Sequence, residues 1–280
     1  MHKAREEKQN IPHRNRARSE QLVMELNFDT TAIEGYHSAS QVARILTEKW
    51  VADNMFCPRC GSPQINHFQN NRPVADFYCP DCSNEYELKS KNGALGHKVM
   101  DGAYDTMIKR ITGHENPDFF FMSYSRKQLC VTDFLFIPKH FFVPGIIEKR
   151  KPLADTARRA GWVGCNIRID QIPEQGRIYI IAGGKIKESA EIIQKVNRSN
   201  ALMVQDIHAR GWLLDVLKCV NRLDGDVFSL ADVYAFEGLL GQKHPQNHHV
   251  RPKIRQQLQL LRDKGFIDFL GHGMYRKTAA

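Results

Sequence analysis

No stretch of this chain reaches the roughly 18 consecutive apolar residues that a membrane span needs. The opening segment, MHKAREEKQNIPHRNRARSEQ, holds no apolar core of the kind a secretory signal carries. Internal repeats are absent, and acidic residues are the scarcer charge, 31 Asp and Glu against 40 Lys and Arg. These absences exclude a helical membrane protein and a repeat array. They lead us to expect a cytoplasmic protein with no membrane partner, in which disulfides are rare. The basic surplus, a formal +9 over 280 residues, suits a polyanionic partner, because each phosphate contact releases condensed counterions. Many basic proteins bind nothing anionic, so charge alone does not decide. Hydrophobic residues at 42% and charged residues at 25% are enough for a sizeable core and argue against disorder.

With disulfides unexpected, the seven cysteines need another explanation. Cys57, Cys60, Cys79 and Cys82 form two CPxC pairs with 18 residues between them, within the spacing of a four-cysteine zinc site. Zinc is a borderline soft ion that takes thiolates, and four of them close a tetrahedron with no open position. Such a site organises the chain and cannot itself be catalytic. His67 lies between the pairs and reads as an ordinary surface histidine. Cys130, Cys165 and Cys219 sit singly among apolar residues and read as small core hydrophobes.

The hydrophobic pattern divides the chain. Residues 1–21 carry six Lys or Arg against three Glu and read as a basic N-terminal extension. Ser40–Ala52 has helical spacing, as does Asp101–Ile111, with Tyr104, Met107, Ile108 and Ile111 on one stripe. Glu85–Lys89 alternates like a strand, and FFFMSY, TDFLFI and RIYIIA read as buried strands. Lys185–Ser199 reads as a connecting helix or linker. The fold expected from this order is α/β, a mixed sheet flanked by helices. Beyond residue 205 a different order begins. A helix centred on Trp212–Val220 comes first, then a short extended link to Ser229, an N-cap for a helix over Ala231–Leu240. A third helix carries Pro252 in its first turn and ends at Lys264 before Gly265, and a hairpin turns at Gly271-His272-Gly273. Three helices and a hairpin are the order of a winged helix-turn-helix.

Asp76 precedes Cys79 by three residues, and ten residues separate it from Glu87-Leu88-Lys89. Glu87 and Lys89 are i and i+2 on a strand and so share a face. Asp76 on the preceding strand can meet them. Two carboxylates with the Leu88 carbonyl make a hard oxygen site for Mg2+. Such an ion activates water and neutralises phosphate charge, while Lys89 orients the water or stabilises developing charge. The spacing resembles that of the PD-(D/E)xK nucleases, with Ala75 in place of the motif's proline. Taken alone it recurs by chance, since ExK is usually a solvated strand face. Glu48 and Gln41 on the first helix are candidates for the auxiliary metal-assisting residue of that superfamily.

The segments NNRPVADFYC, ELKSK, KPLADTARRAGWVGCNI, RQQLQLLRDK and MYRK together resemble the DpnI-like methyl-directed restriction endonucleases, from about Met24 to Lys277. That resemblance implies a PD-(D/E)xK nuclease core with an inserted zinc module, followed by a winged helix. It implies type II cleavage of double-stranded DNA at GATC sites carrying N6-methyladenine. Asp76, Glu87 and Lys89 match its catalytic positions, and the four cysteines match its zinc ligands. The expected organisation is therefore an extension at 1–21, an endonuclease domain at 22–200 with its zinc module at 57–82, and a winged-helix DNA-binding domain at 205–280. The protein is expected to be a monomer.

An N6-methyl adds apolar surface in the major groove, so its reader needs an apolar or aromatic wall. Trp162, between two glycines and beside Arg158 and Arg159, reads as an exposed ring, carried on a turn, that touches the methyl groups, with the arginines holding phosphate or guanine. In the third C-terminal helix Ile254, Leu258 and Leu261 face the core, which leaves Arg255, Gln256, Gln259 and Arg262 for DNA. From Gly241 to Ala280 eight Lys or Arg stand against two Asp, and Lys253, His248 and His249 are placed for the backbone. Two other readings stay open: a zinc and winged-helix regulator or reader of methylated DNA that does not cut, and a nuclease for RNA or unmodified DNA.

Overall fold

Asp118–Ser125 (β5) and Cys130–Ile137 (β6) each carry consecutive aromatic and aliphatic residues, Phe119 to Met122 and Phe134 to Ile137, so both faces of these strands demand cover. The computed structural model describes residues 24–68, 75–113 and 115–278, and the extension expected at 1–21 lies outside them. In it these two strands form the centre of a seven-stranded sheet. Around them lie Asn66–His67 (β1), Phe77–Tyr78 (β2), Glu85–Asn92 (β3), Ile178–Ala182 (β9) and Lys185–Ile186 (β10), in the order β1-β2-β3-β5-β6-β9-β10. Only β3 and β5 run parallel, so the sheet is mixed, as expected.

Period-two alternation sends the side chains to two cores. Phe120, Met122, Phe134 and Phe136 face the first helix, Ala39–Asn54 (α1), which buries Leu46, Trp50 and Val51. Trp50 meets Phe134 edge to face at 5.3 Å, and its indole N–H donates to the Glu25 carbonyl. The segment expected as a connecting helix or linker begins as the short strand β10 and continues as a helix. Ser189–Ser199 (α3) lays Ile192 and Val196 on the same face. Phe119, Phe121, Leu135 and Ile137 point the other way, toward Met107 and Ile111 of Tyr104–Thr112 (α2). Each fully buried Phe contributes roughly 1.5–3 kcal/mol.

One expectation is corrected on this second face. The helix expected from Asp101 begins at Tyr104, because Val99–Ala103 (β4) is a strand. It pairs with Gly164–Ile167 (β8), which pairs with Ile147–Lys149 (β7) in a small separate sheet. Strands of three to five residues carry too little periodicity to be read in advance.

The C-terminal segment has four helices rather than three. Ile207–Arg222 (α4) leads to Val227–Ser229 (β11), then Leu230–Tyr234 (α5), Glu237–Lys243 (α6) and Val250–Asp263 (α7). The helix expected over Ala231–Leu240 breaks at Phe236, whose φ of −87° and ψ of 5° leave helical geometry while its ring lies under the Arg222 guanidinium. Ser229 caps α5 as expected, in a reciprocal capping box with Asp232. Ile267–Gly271 (β12) and Met274–Lys277 (β13) form the hairpin, with β11 against β13. Gly265 follows α7 at φ +75°, a conformation that favours glycine. One contiguous hydrophobic cluster joins α2 to α4, α7 and the hairpin, so these helices are packed onto the second face of the sheet. Among the described residues no helix is long and apolar enough to cross a membrane.

Candidate functional site

The β2–β3 pairing is short, with only Phe77 opposite Tyr86 and Tyr78 opposite Glu85. Just before β2 the Asp76 backbone still donates to the Tyr86 carbonyl at 2.9 Å. One step further the ladder is replaced by a side chain: Asp76 Oδ2 accepts the Leu88 N–H at 2.7 Å. A strand residue points its N–H and C=O to the same side. The Leu88 carbonyl therefore faces the side on which Asp76 lies. Burial raises the Asp76 pKa, the Leu88 N–H opposes this, and the negative charges of Glu87 and Glu48 raise it further.

Tyr86 and Leu88 turn into the α1 core, so Glu87 and Lys89 emerge on the opposite face, toward α2 and β4. Lys89 Nζ lies 2.5 Å from Glu87 Oε1 and also bonds Asp101 of β4, whose side chain is 5% exposed. The other Glu87 oxygen accepts from Arg110 of α2 at 2.9 Å. Burial alone would favour neutral Lys89, but the two carboxylates outweigh it and raise its pKa well above the ordinary lysine range. Lys89 is thus held as a cation. Sequence reading missed Asp101 and Arg110. Arg110 lies next to the buried stripe of α2, and Asp101 falls within the span expected as a helix.

Across the gap, α1 supplies Glu48. It accepts from Arg44 at 2.7 Å and lies 3.1 Å from His67 Nε2. Asp76 feels the charges of Arg44 and Glu48, so the first helix does bring Glu48 to the site. His67 is occupied by Glu48 and stays apart from the cysteine cluster.

The four cysteines converge. Their sulfurs lie within 4.8 Å of one another, with Cys57–Cys82 and Cys60–Cys79 each at 3.6 Å. Four thiolates about 2.3 Å from one zinc ion would be about 3.8 Å apart, so the donor set fits that ion in number, type and spacing. The pairs sit on tight turns, where the Gly61 N–H bonds the Cys57 carbonyl and the Ser83 N–H bonds the Cys79 carbonyl. The first knuckle also aims Arg59 inward. Its Nε and Nη2 reach Asp118 of β5, each at 2.7 Å, and its Nη1 reaches Asn200.

The Trp162 turn leads directly into β8. Its ring is half-buried rather than fully exposed, with the Arg159 guanidinium 4.5 Å above it. On its other side it covers Gly164, where a Cβ would come within 2.8 Å of the ring. Arg158 and Arg159 are exposed. β8 pairs with β4 in a register that sets Cys165 opposite Asp101, so the turn stands one strand pairing from the Lys89 partner.

On α7 the expected stripe is present: Ile254, Leu258 and Leu261 are buried, joined by Gln257. Arg255, Gln256, Gln259 and Arg262 are exposed, and Lys253 is half-buried. Arg255 donates to the Tyr234 hydroxyl at 2.5 Å, which links α7 to α5. Gln259 and Arg262 line a groove against Phe269 and Tyr275 of the hairpin. His248 and His249 are exposed before the start of α7.

Two family comparisons bear on this arrangement. The model of the DpnI Dam-replacing family matches residues 24–205, and the model of the Dam-replacing HTH domain matches residues 208–277. The first spans the sheet, the cysteine cluster and the Asp76–Lys89 site. The second spans α4 to the hairpin.

Proposed function

This chain belongs to the DpnI Dam-replacing family of methyl-directed restriction endonucleases, and from that membership we propose that it hydrolyses duplex DNA at GATC sites bearing N6-methyladenine, with Mg2+ held by Asp76, Glu87 and the Leu88 carbonyl. The observation that carries this reading is the Asp76–Leu88 hydrogen bond, which sets one carboxylate at the strand edge beside Glu87 and Lys89. Two acidic side chains and a carbonyl are the hard oxygen donors Mg2+ takes. When bound, the ion lowers the pKa of water and neutralises charge on the scissile phosphate.

The protein's own groups do the remaining work. Asp76 is rigidly oriented by a backbone donor and needs little reorganisation to act as a ligand. Glu87, which contacts Lys89 and Arg110, would help to hold the ion, and Asp101 would keep Lys89 in place. Lys89 would serve as a donor to the attacking water or the phosphate oxygens. The four cysteines hold Zn2+ in a structural role.

We assign the methyl contact to Trp162, flanked by Arg158 and Arg159 on phosphate or guanine, and a second contact to α7 through Lys253, Arg255, Gln256, Gln259 and Arg262. The protein acts as a monomer with nuclease residues 22–200 and winged-helix residues 205–280. The direct test is digestion of adenine-methylated and unmethylated plasmid with and without Mg2+. Cutting confined to methylated plasmid plus Mg2+ is expected, and Asp76→Ala or Lys89→Ala should abolish it. Binding without cutting would instead identify a non-catalytic reader of methylated DNA.

A further inference from the structure

Where α4 packs against the nuclease core, a cavity of about 180 Å3 is lined by Ile111, Asn116, Lys139, His140, Met203 and Arg210, with Gln205 at its edge. One ordered water needs only roughly 10–15 Å3. Three of the lining side chains are more than nine-tenths buried: Asn116 is 5% exposed, His140 3% and Arg210 5%. All three carry polar atoms without a hydrogen-bond partner among the described residues. These are both amide atoms of Asn116, Nδ1 of His140 and Nε of Arg210. Buried polar groups are seldom left unpaired, so orphaned groups around one space point to an occupant.

The chemistry of the occupant follows from the orphaned atoms. Arg210 is a buried cation whose Nη1 donates to the Val204 carbonyl at 2.8 Å. Burial disfavours its charged form, and Asp206 offsets this only in part. A negative ligand would complete the compensation. Asn116 Nδ2 and Arg210 Nε then donate to it. His140 donates its Nε2–H to the Ser199 carbonyl at 2.9 Å, which leaves Nδ1 as a bare acceptor in the neutral ring. Burial first, then the Arg59 charge, push this imidazole down to about 3, so neutrality holds at physiological pH. The ligand must therefore also carry a hydrogen-bond donor, which His140 Nδ1 and Asn116 Oδ1 accept. Water supplies both hydrogen-bonding roles but brings no charge.

We infer that this cavity is a binding site for a small protonated oxyanion, hydrogen phosphate, bridging the α2–β5 loop, the turn after β6 and the first helix of the HTH segment. The site selects by protonation: inorganic phosphate retains an O–H at neutral pH, and sulfate does not. Its position predicts that occupancy strengthens the attachment of α4 to the sheet.

The experiment is thermal unfolding of the full-length, zinc-loaded protein in a phosphate-free buffer at constant ionic strength. It is titrated in separate arms with inorganic phosphate, sulfate and a nucleoside 5′-monophosphate, and repeated for Arg210→Met and Asn116→Leu. Phosphate should raise Tm by about 5 °C near a hundredfold excess over Kd. Sulfate should do far less, and both variants should lose the response. The nucleoside monophosphate, whose phosphate is mostly a dianion without an O–H at neutral pH, should also do less than phosphate. Equal responses to phosphate and sulfate, a response retained in the variants, or no response at all would each overturn the site. The first and third outcomes need no variant, and Asn116→Leu decides the second if Arg210→Met does not fold.

Discussion

Lys89 sits between two carboxylates with different duties. Glu87 is a proposed metal ligand, whereas Asp101 only grips the ammonium from the neighbouring strand. Removing the charge at Asp101 should let Lys89 wander without touching the metal ligands. Asp101→Asn is expected to slow cleavage of methylated duplex by about tenfold, the lower end for partners of site residues. Its affinity for the same duplex, measured with Ca2+ in place of Mg2+, should be unchanged; an equal loss in both would mean a merely structural role. His140 supports a pH prediction. Its folded pKa, about 3, lies below the ordinary histidine value of roughly 6.5. Between these values the unfolded chain binds a proton that the folded one does not. Stability is therefore full above about pH 6.5 and falls as pH drops below it, by up to about 1.4 kcal/mol per pH unit. In His140→Gln this slope should be reduced by that one proton in denaturant titrations run from pH 7 to pH 5.

Two elements carry the proposed reading of DNA, and each can be tested separately. The Trp162 turn is a preassembled stack of guanidinium, indole and glycine, not a free ring. Trp162→Ala should narrow the preference for methylated over unmethylated sites by about tenfold, the worth of one good base contact. An unchanged ratio of cleavage rates would remove Trp162 from that role. On α7 the residue types divide between backbone and base. Lys253→Ala should weaken binding to all duplexes alike and reduce the slope of log K against log salt by about 1, while Gln259→Ala should act on specific sites only. Fluorescence anisotropy with cognate and scrambled duplexes at several salt concentrations distinguishes the two. The α7 reading face was legible because a 3.6-residue period separates buried from exposed positions without knowledge of the partner. The β4 and β8 strands were not legible, since their cover comes from α2 and β7, which no local pattern announces.

At the scale of the molecule, the cysteine cluster and the sheet are one construction. Arg59, inside the first knuckle, pairs with fully buried Asp118 at the start of β5, and Asp118 also accepts from Asn84 and from the Lys139 backbone. Zinc removal should therefore do more than loosen a loop. It frees the knuckle that keeps Arg59 on a buried carboxylate, and an uncompensated buried charge costs roughly 3–5 kcal/mol. Chelation is expected to lower Tm sharply, with recovery on adding Zn2+ but not Mg2+, read by near-ultraviolet circular dichroism. The sequence by itself determined the cysteine quartet, the Asp76–Glu87–Lys89 spacing and the amphipathic stripes of α1 and α7. Each is a short-range pattern whose chemistry is written in residue type and period. Only the tertiary structure decided that Asp101 and Arg110 flank Lys89 and Glu87, that Glu48 faces Asp76, and that Asn116, His140 and Arg210 line one cavity. Those groups come from different elements, and only the packing of α1, α2, α4 and the β4 strand around the main sheet brings them within reach of one another.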